Sequence, residues 1–111
     1  MPELNIFKTI TKSIDTSNQT IYTAPINYTG IVLSTQVANA SDSDATLTFT
    51  YQDSAAANAV ELLYQFDIPS RDTANASVGK LVIEANGILK MTSDKDDKLK
   101  LVMGILESLN G

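Results

Sequence analysis

The chain has 111 residues, 43% hydrophobic and 19% charged, enough apolar matter for one core without a disulfide or metal and too little charge for a disordered chain. Histidine and cysteine are absent, which removes Ser-His and Cys-His nucleophiles, thiolate chemistry and the usual transition-metal ligands. The net charge is -5, and the eight basic residues are scattered among thirteen acidic ones, an argument against nucleic-acid binding, which needs lysine and arginine gathered on one face.

In chain order, "MPELNIFKTITKSID" places Leu4, Ile6, Ile10 and Ile14 at even positions, with Phe7 breaking the pattern. Residues 1–14 read as a first edge strand or an N-terminal arm. Charges interrupt every apolar run there, so no signal-peptide core is present. No segment reaches the roughly 18 apolar residues of a membrane span. A soluble product made in the cytoplasm, with no membrane partner, is expected. Four N-x-[ST] sequons begin at Asn18, Asn27, Asn39 and Asn75; in so Asn/Ser/Thr-rich a chain they read as coincidence.

"IYTAP" reads as a short strand ending at Pro25. "GIVLSTQVAN" alternates Ile31, Leu33, Thr35 and Val37 against Val32, Ser34 and Gln36. After the polar turn Ser41 to Asp44, Ala45, Leu47, Phe49 and Tyr51 point one way and Thr46, Thr48 and Thr50 the other. Period-2 alternation of this kind marks half-buried strands, and the two segments are expected to pair as a hairpin. "SAAANAVELL" carries a competing reading as a turn or two of helix capped by Asp53 or Ser54. The strand reading makes Val60, Leu62, Tyr64, Phe66 and Ile68 an apolar row opposed by Glu61, Gln65 and Asp67, ended by Pro69.

"KLVIEANGILKM" reads as a second hairpin, with Leu81, Ile83 and Ala85 on one face and Asn86-Gly87 as a type I′ turn. The last strand sets Leu99, Leu101, Met103 and Ile105 against Lys98 and Lys100. Seven or eight strands separated by polar turns predict an all-β fold: an antiparallel β-sandwich, Ig-like or jelly-roll-like, forming one domain over residues 1–111.

Chemistry is sparse. Asp42 with Asp44, and Asp94 with Asp96 and Asp97, offer oxygen ligands for a hard cation, but neither continues into an EF-hand pattern, and Asp is an ordinary turn residue. Two carboxylates could cleave a glycoside, yet these acids occupy turns and outward strand positions. Tyr22, Tyr28, Tyr51 and Tyr64 could stack on a sugar, although Tyr51 and Tyr64 lie on apolar rows. Arg71 is a candidate interface anchor. No cofactor or metal is expected, and the chain reads as a non-enzyme.

Taken in order, "NIFKTITKSIDTSNQTIYTAP", "GIVLSTQVANAS", "ATLTFTYQDS", "FDIPS", "GKLVIEANGILKMTS" and "LKLVMGILESLNG" resemble a group of small virion structural proteins of tailed bacteriophages, notably marine phages. The resemblance runs from Ile6 to Glu107 and rests on the collinear order of short motifs. The chain departs from the group's pattern at Asn86, where the group has Gly followed by a polar residue, and at Ser70-Arg71, where it has a small Ala-Gly pair. The resemblance implies a virion component assembled in the host cytoplasm. The leading expectation is a capsid decoration (cement) protein, a homotrimer bound to the major capsid protein or other virion proteins, with Leu4, Ile6, Phe7 and Arg71 as interface candidates. The alternatives are a neck, tail or fibre-associated protein, or a host-surface or carbohydrate-binding module using Tyr22 and Tyr28.

Overall fold

Alternating burial along the chain builds nine strands in the computed structural model, which describes residues 5–53, 58–76 and 80–110. They are β1 (Asn5–Ile14), β2 (Gln19–Thr23), β3 (Tyr28–Asn39), β4 (Ala45–Gln52), β5 (Val60–Ile68), β6 (Thr73–Asn75), β7 (Leu81–Ile83), β8 (Ile88–Ser93) and β9 (Leu99–Leu109). One sheet has the order β1-β9-β3-β6, with β7 pairing β3 further along, and the other β2-β8-β4-β5. Every pairing is antiparallel, and no helix occurs among the described residues. The fold is thus the all-β antiparallel sandwich expected; the count exceeds expectation by β6, whose three residues are too few to show periodicity.

The core lies between the sheets. Val32 and Val37 of β3 and Leu99, Leu101, Met103 and Ile105 of β9 face Leu47 and Phe49 of β4 and Leu89 and Met91 of β8, all at most 1% exposed. Ile14, Ile68 and Ile83 complete it. Each such side chain contributes roughly 1.5–3 kcal/mol on leaving water, offsetting the cost of ordering the chain.

Two expected hairpins are corners between the layers instead. β3 belongs to the first sheet and β4 to the second. The turn between them is organised by Asn39, which is 2% exposed. Its Nδ2 donates to the carbonyls of Ser43 and Ile68, each at 2.9 Å. Its Oδ1 accepts from the Ser41 amide at 3.1 Å and hydroxyl at 2.7 Å. With both amide hydrogens and its oxygen engaged, Asn39 ties the end of β3 to the end of β5 and sends β4 across the core, not beside β3.

Within Lys80 to Met91, likewise, β7 pairs β3 while β8 pairs β2 and β4. The turn closes one residue earlier than a type I′ turn on Asn86-Gly87 would: the Gly87 amide donates to the Glu84 carbonyl at 2.8 Å, with Asn86 third at φ 70°, as in a type II turn. Gly87 is needed for space, since a Cβ there would lie 2.7 Å from Ile83 Cγ2 and 2.9 Å from the Glu84 carbonyl oxygen. The same design recurs at Pro25–Tyr28, with Asn27 at φ 70°, and at Pro69–Asp72, with Arg71 at φ 62°.

Two strands differ from their expected facing. In β3 the ladder to β9 shifts between Val32 and Ser34, leaving Leu33 as an extra, 41% exposed residue. Val32 therefore points inward before this bulge, and Thr35 and Val37 after it. In β5 the apolar row is left largely uncovered: Val60, Leu62, Tyr64 and Phe66 are 61%, 39%, 67% and 45% exposed, although Phe66 stands opposite the core residue Leu47. Ile68 is buried and Leu63 packs partly against the core. The β4–β5 ladder shifts between Leu47 and Phe49 and again between Phe49 and Thr50, and Gln65 adopts φ 47°, so strict alternation is lost on a strand at the sheet's edge. Of the segment with a competing helical reading, Val60 to Leu63 are strand and Ser54 to Ala57 lie outside the described residues.

Replacing Asn39 by Ala strips hydrogen-bond partners from two carbonyls and an amide at a buried corner. A loss of about 2–4 kcal/mol is expected, measurable as a lower urea midpoint at unchanged m-value.

Candidate interaction surface

The register that buries one face of the first sheet fixes what the other face shows. Phe7 of β1 stands opposite Leu106 of β9, Leu106 opposite Ile31 of β3, and Ile31 opposite Val82 of β7. Four adjacent strands thus carry one apolar band across the outer face, roughly 14 Å long at the usual strand spacing. Phe7 and Val82 are 75% and 55% exposed, and Leu106 and Ile31 are partly covered. Polar residues such as Thr9, Ser34, Gln36 and Lys100 occupy most of the rest of this face, with Val102 a second exposed apolar residue on β9. Beside β6 it holds a shallow hollow of about 420 Å³ lined by Ser34, Thr35, Gln36, Thr73, Asn75 and Val102.

The three described interface candidates, Ile6, Phe7 and Arg71, are not brought together. Phe7, the residue that broke the pattern of its strand, is the outward anchor of the band. Ile6 lies on the opposite face of β1, paired with Glu107 and partly buried. Leu4 lies outside the described residues. Arg71 sits at the far flank, in the turn between β5 and β6, where its Nη2 meets Asp42 Oδ1 at 2.8 Å. Both side chains of that pair are about four-fifths exposed or more, so it adds little to stability.

A buried polar cluster near β1 escaped the sequence reading. Glu107, 1% exposed, accepts a hydrogen bond from the Tyr22 hydroxyl at 2.6 Å on Oε2 and pairs with Lys8 Nζ at 3.1 Å on Oε1. It continues the inward row Leu99, Leu101, Met103, Ile105, so a carboxylate at the next odd position was the available signal. Gly30 makes room for the Tyr22 ring: a Cβ there would lie 2.7 Å from the Tyr22 oxygen. Burial, aided by the bond to Glu107 and its charge, holds the Tyr22 phenol well above its ordinary titration range. Tyr22 is therefore a core residue, and Tyr28 is partly buried. The aromatic platform a carbohydrate module would need at Tyr22 is not on the surface.

The acidic turns are used for folding. Asp44 accepts from the Ser70 amide at 3.0 Å, Asp94 from the Thr46 amide at 2.8 Å and Asp96 from the Thr16 amide at 2.9 Å, while Asp97 accepts from the Ser13 hydroxyl at 3.0 Å. Asp15 accepts from both the hydroxyl and the amide of Ser17, which lowers its carboxyl titration. Among the described residues no three acidic groups converge as a cation site.

By sequence, the chain matches no protein-family profile and no curated protein. By structure, it is similar to a chain from the acid-stable capsid of Helicobacter pylori bacteriophage KHP30 (TM-score 0.58, 11% identity, 98% of this chain and 90% of that one). It is also similar to a chain from Bacillus endospore appendages, described as a novel family of disulfide-linked pili (TM-score 0.58, 9% identity, 96% and 88%). A third similarity is to a chain of the T13 IBDV viral particle (TM-score 0.57, 13% identity), of which this chain spans about a third, 32%, while 98% of its own length is covered. At such identities the likeness establishes a shared two-sheet β fold. The disulfide linkage of the pili has no counterpart in these 111 residues, which hold no cysteine.

The Tyr22 cluster makes stability depend on pH in one direction. The folded state favours the neutral phenol, so the stability it brings is complete below pH about 10 and is lost as pH rises above that value. Tyr22→Phe is expected to cost about 1–2 kcal/mol at neutral pH and to fall less steeply than the wild type above pH about 10, as read by thermal melts across alkaline buffers.

Proposed function

We propose that this chain is a non-catalytic structural component of a tailed-bacteriophage virion and, within that class, a capsid decoration (cement) protein that binds the major capsid protein as a homotrimer and holds neighbouring shell subunits together. The observation that carries the reading is the apolar band Phe7–Leu106–Ile31–Val82 across the outer face of the first sheet. A soluble domain gains nothing in isolation from a contiguous apolar strip on a largely polar sheet face; such strips mark sites of association. The near full-length likeness to a chain from a phage capsid and the collinear sequence resemblance support the same class. A non-catalytic role is supported by the engagement of the acidic turn residues with backbone amides and hydroxyls, and by a sequence without histidine or cysteine. A place in the neck, tail or fibre is the second reading.

Particle composition tests this. Quantitative mass spectrometry of purified virions is expected to find the protein in the hundreds of copies a shell lattice requires; a handful of copies would move it to the neck or tail, and none would end the virion reading. Phe7→Asp and Val82→Asp change exposed side chains and are expected to leave folding within about 0.5 kcal/mol of the wild type. Each is expected to weaken binding to shells about tenfold or more, measured by co-sedimentation with particles lacking the protein.

A further inference from the structure

Among the described residues, two long strands have free edges on opposite flanks. β1 ends one sheet and β5 the other, with ten and nine residues. The remaining edge strands β2, β6 and β7 have five, three and three. A long free edge presents a row of unpaired backbone N–H and C=O groups, and natural folds usually shorten or cover it. Here β5 also exposes Val60, Leu62, Tyr64 and Phe66, and β1 exposes Phe7. An added extended strand satisfies such a backbone edge and covers apolar side chains along it.

Charge identifies which strand. β1 carries Lys8 and Lys12 and no acid; β5 carries Glu61 and Asp67 and no base. The lysines share one face of β1, opposite Ile105 and Leu101. The acids share one face of β5, opposite Thr50 and Thr46. Spacing agrees as well. Lys8 and Lys12 are four positions apart, and although Glu61 and Asp67 are six apart in sequence, the irregular ladder compresses them onto the four-position span from Thr46 to Thr50. A β1 strand laid parallel to β5 thus sets both lysines against both acids on one face, Lys8 beside Glu61 and Lys12 beside Asp67, whereas reversing the strand would turn the lysines to the other face. Lys8 already meets Glu107, yet its side chain keeps 47% exposure on the flank. Pairing β1 with β1, or β5 with β5, would oppose like charges, which disfavours it.

We infer that β1 of one copy adds to the free edge of β5 in the next, joining the first sheet of one protomer to the second sheet of its neighbour. The contact is heterologous: each copy offers one surface and accepts on another, so repetition closes into a ring or extends as a filament. The inference concerns self-association alone and stands independently of the virion reading.

Sedimentation velocity of the full chain tests it. Lys12→Glu, Glu61→Lys and Asp67→Lys each alter an exposed side chain, so thermal melts should match the wild type and separate misfolding from lost association. Lys12→Glu, Asp67→Lys opposite it, and Glu61→Lys opposite Lys8 are each expected to weaken association about tenfold or more. The double variant Lys12→Glu/Asp67→Lys is expected to restore assembly, because every junction again opposes unlike charges, in a ring of any number of copies as in a filament. The inference is overturned if the wild type stays monomeric at high concentration, if Lys12→Glu associates like the wild type, or if the double variant fails to recover assembly.

Discussion

The antiparallel ladder between β3 and β9, from Tyr28 opposite Leu109 to Asn39 opposite Leu99, is the constraint on which the rest of the structure hangs. β1 joins β9 on one side, and β6 and β7 join β3 on the other. Because side chains alternate across a strand, this single register decides two surfaces together. It sets Val32 against Ile105 in the core and Ile31 against Leu106 on the outside. A slip of one residue would exchange them, putting apolar core residues in water and the outer band inside. The bulge at Leu33 belongs to the same constraint: it re-phases β3 midway so that both halves still face the core.

Much of this fold was legible. The Thr-rich strand from Ala45, the closing strand from Leu99 and the inward row Ile6, Ile10, Ile14 follow from period-2 alternation and nothing else. What could not be read was which strand lies beside which. A hairpin and a corner between layers need the same kinds of turn residue, so "ANASDSDA" and "EANG" looked like tight connections within a sheet. The difference lies in tertiary bonds of Asn39 to Ile68 and of the Ala24 amide to the Gly87 carbonyl, which no local window contains. The facing of β5 was misread for a related reason: its irregular ladder to β4 breaks the alternation that the sequence itself displays. Position 71 is instructive too. The resemblance has a glycine there, the residue a φ of 62° favours, and this chain places an arginine in the same left-handed turn.

The candidate surface was legible only in part. Phe7 was flagged by breaking a pattern, and the structure shows why: it is the outward residue of an otherwise inward-counted strand. Its companions Leu106, Ile31 and Val82 come from distant segments and meet only through three strand registers, so no motif could announce them. Glu107 was hidden for the opposite reason, a charged residue on an apolar row whose partners Tyr22 and Lys8 lie 85 and 99 positions away in sequence.

The pairing of β1 with β9, Asn5 opposite Ser108, has a consequence for synthesis. β1 is made long before β9 and must wait for it, since among the described residues β1 has no ladder but the one to residues 99–108. A prematurely terminated product lacks the spine and both surfaces that depend on it, the band and the seated first strand.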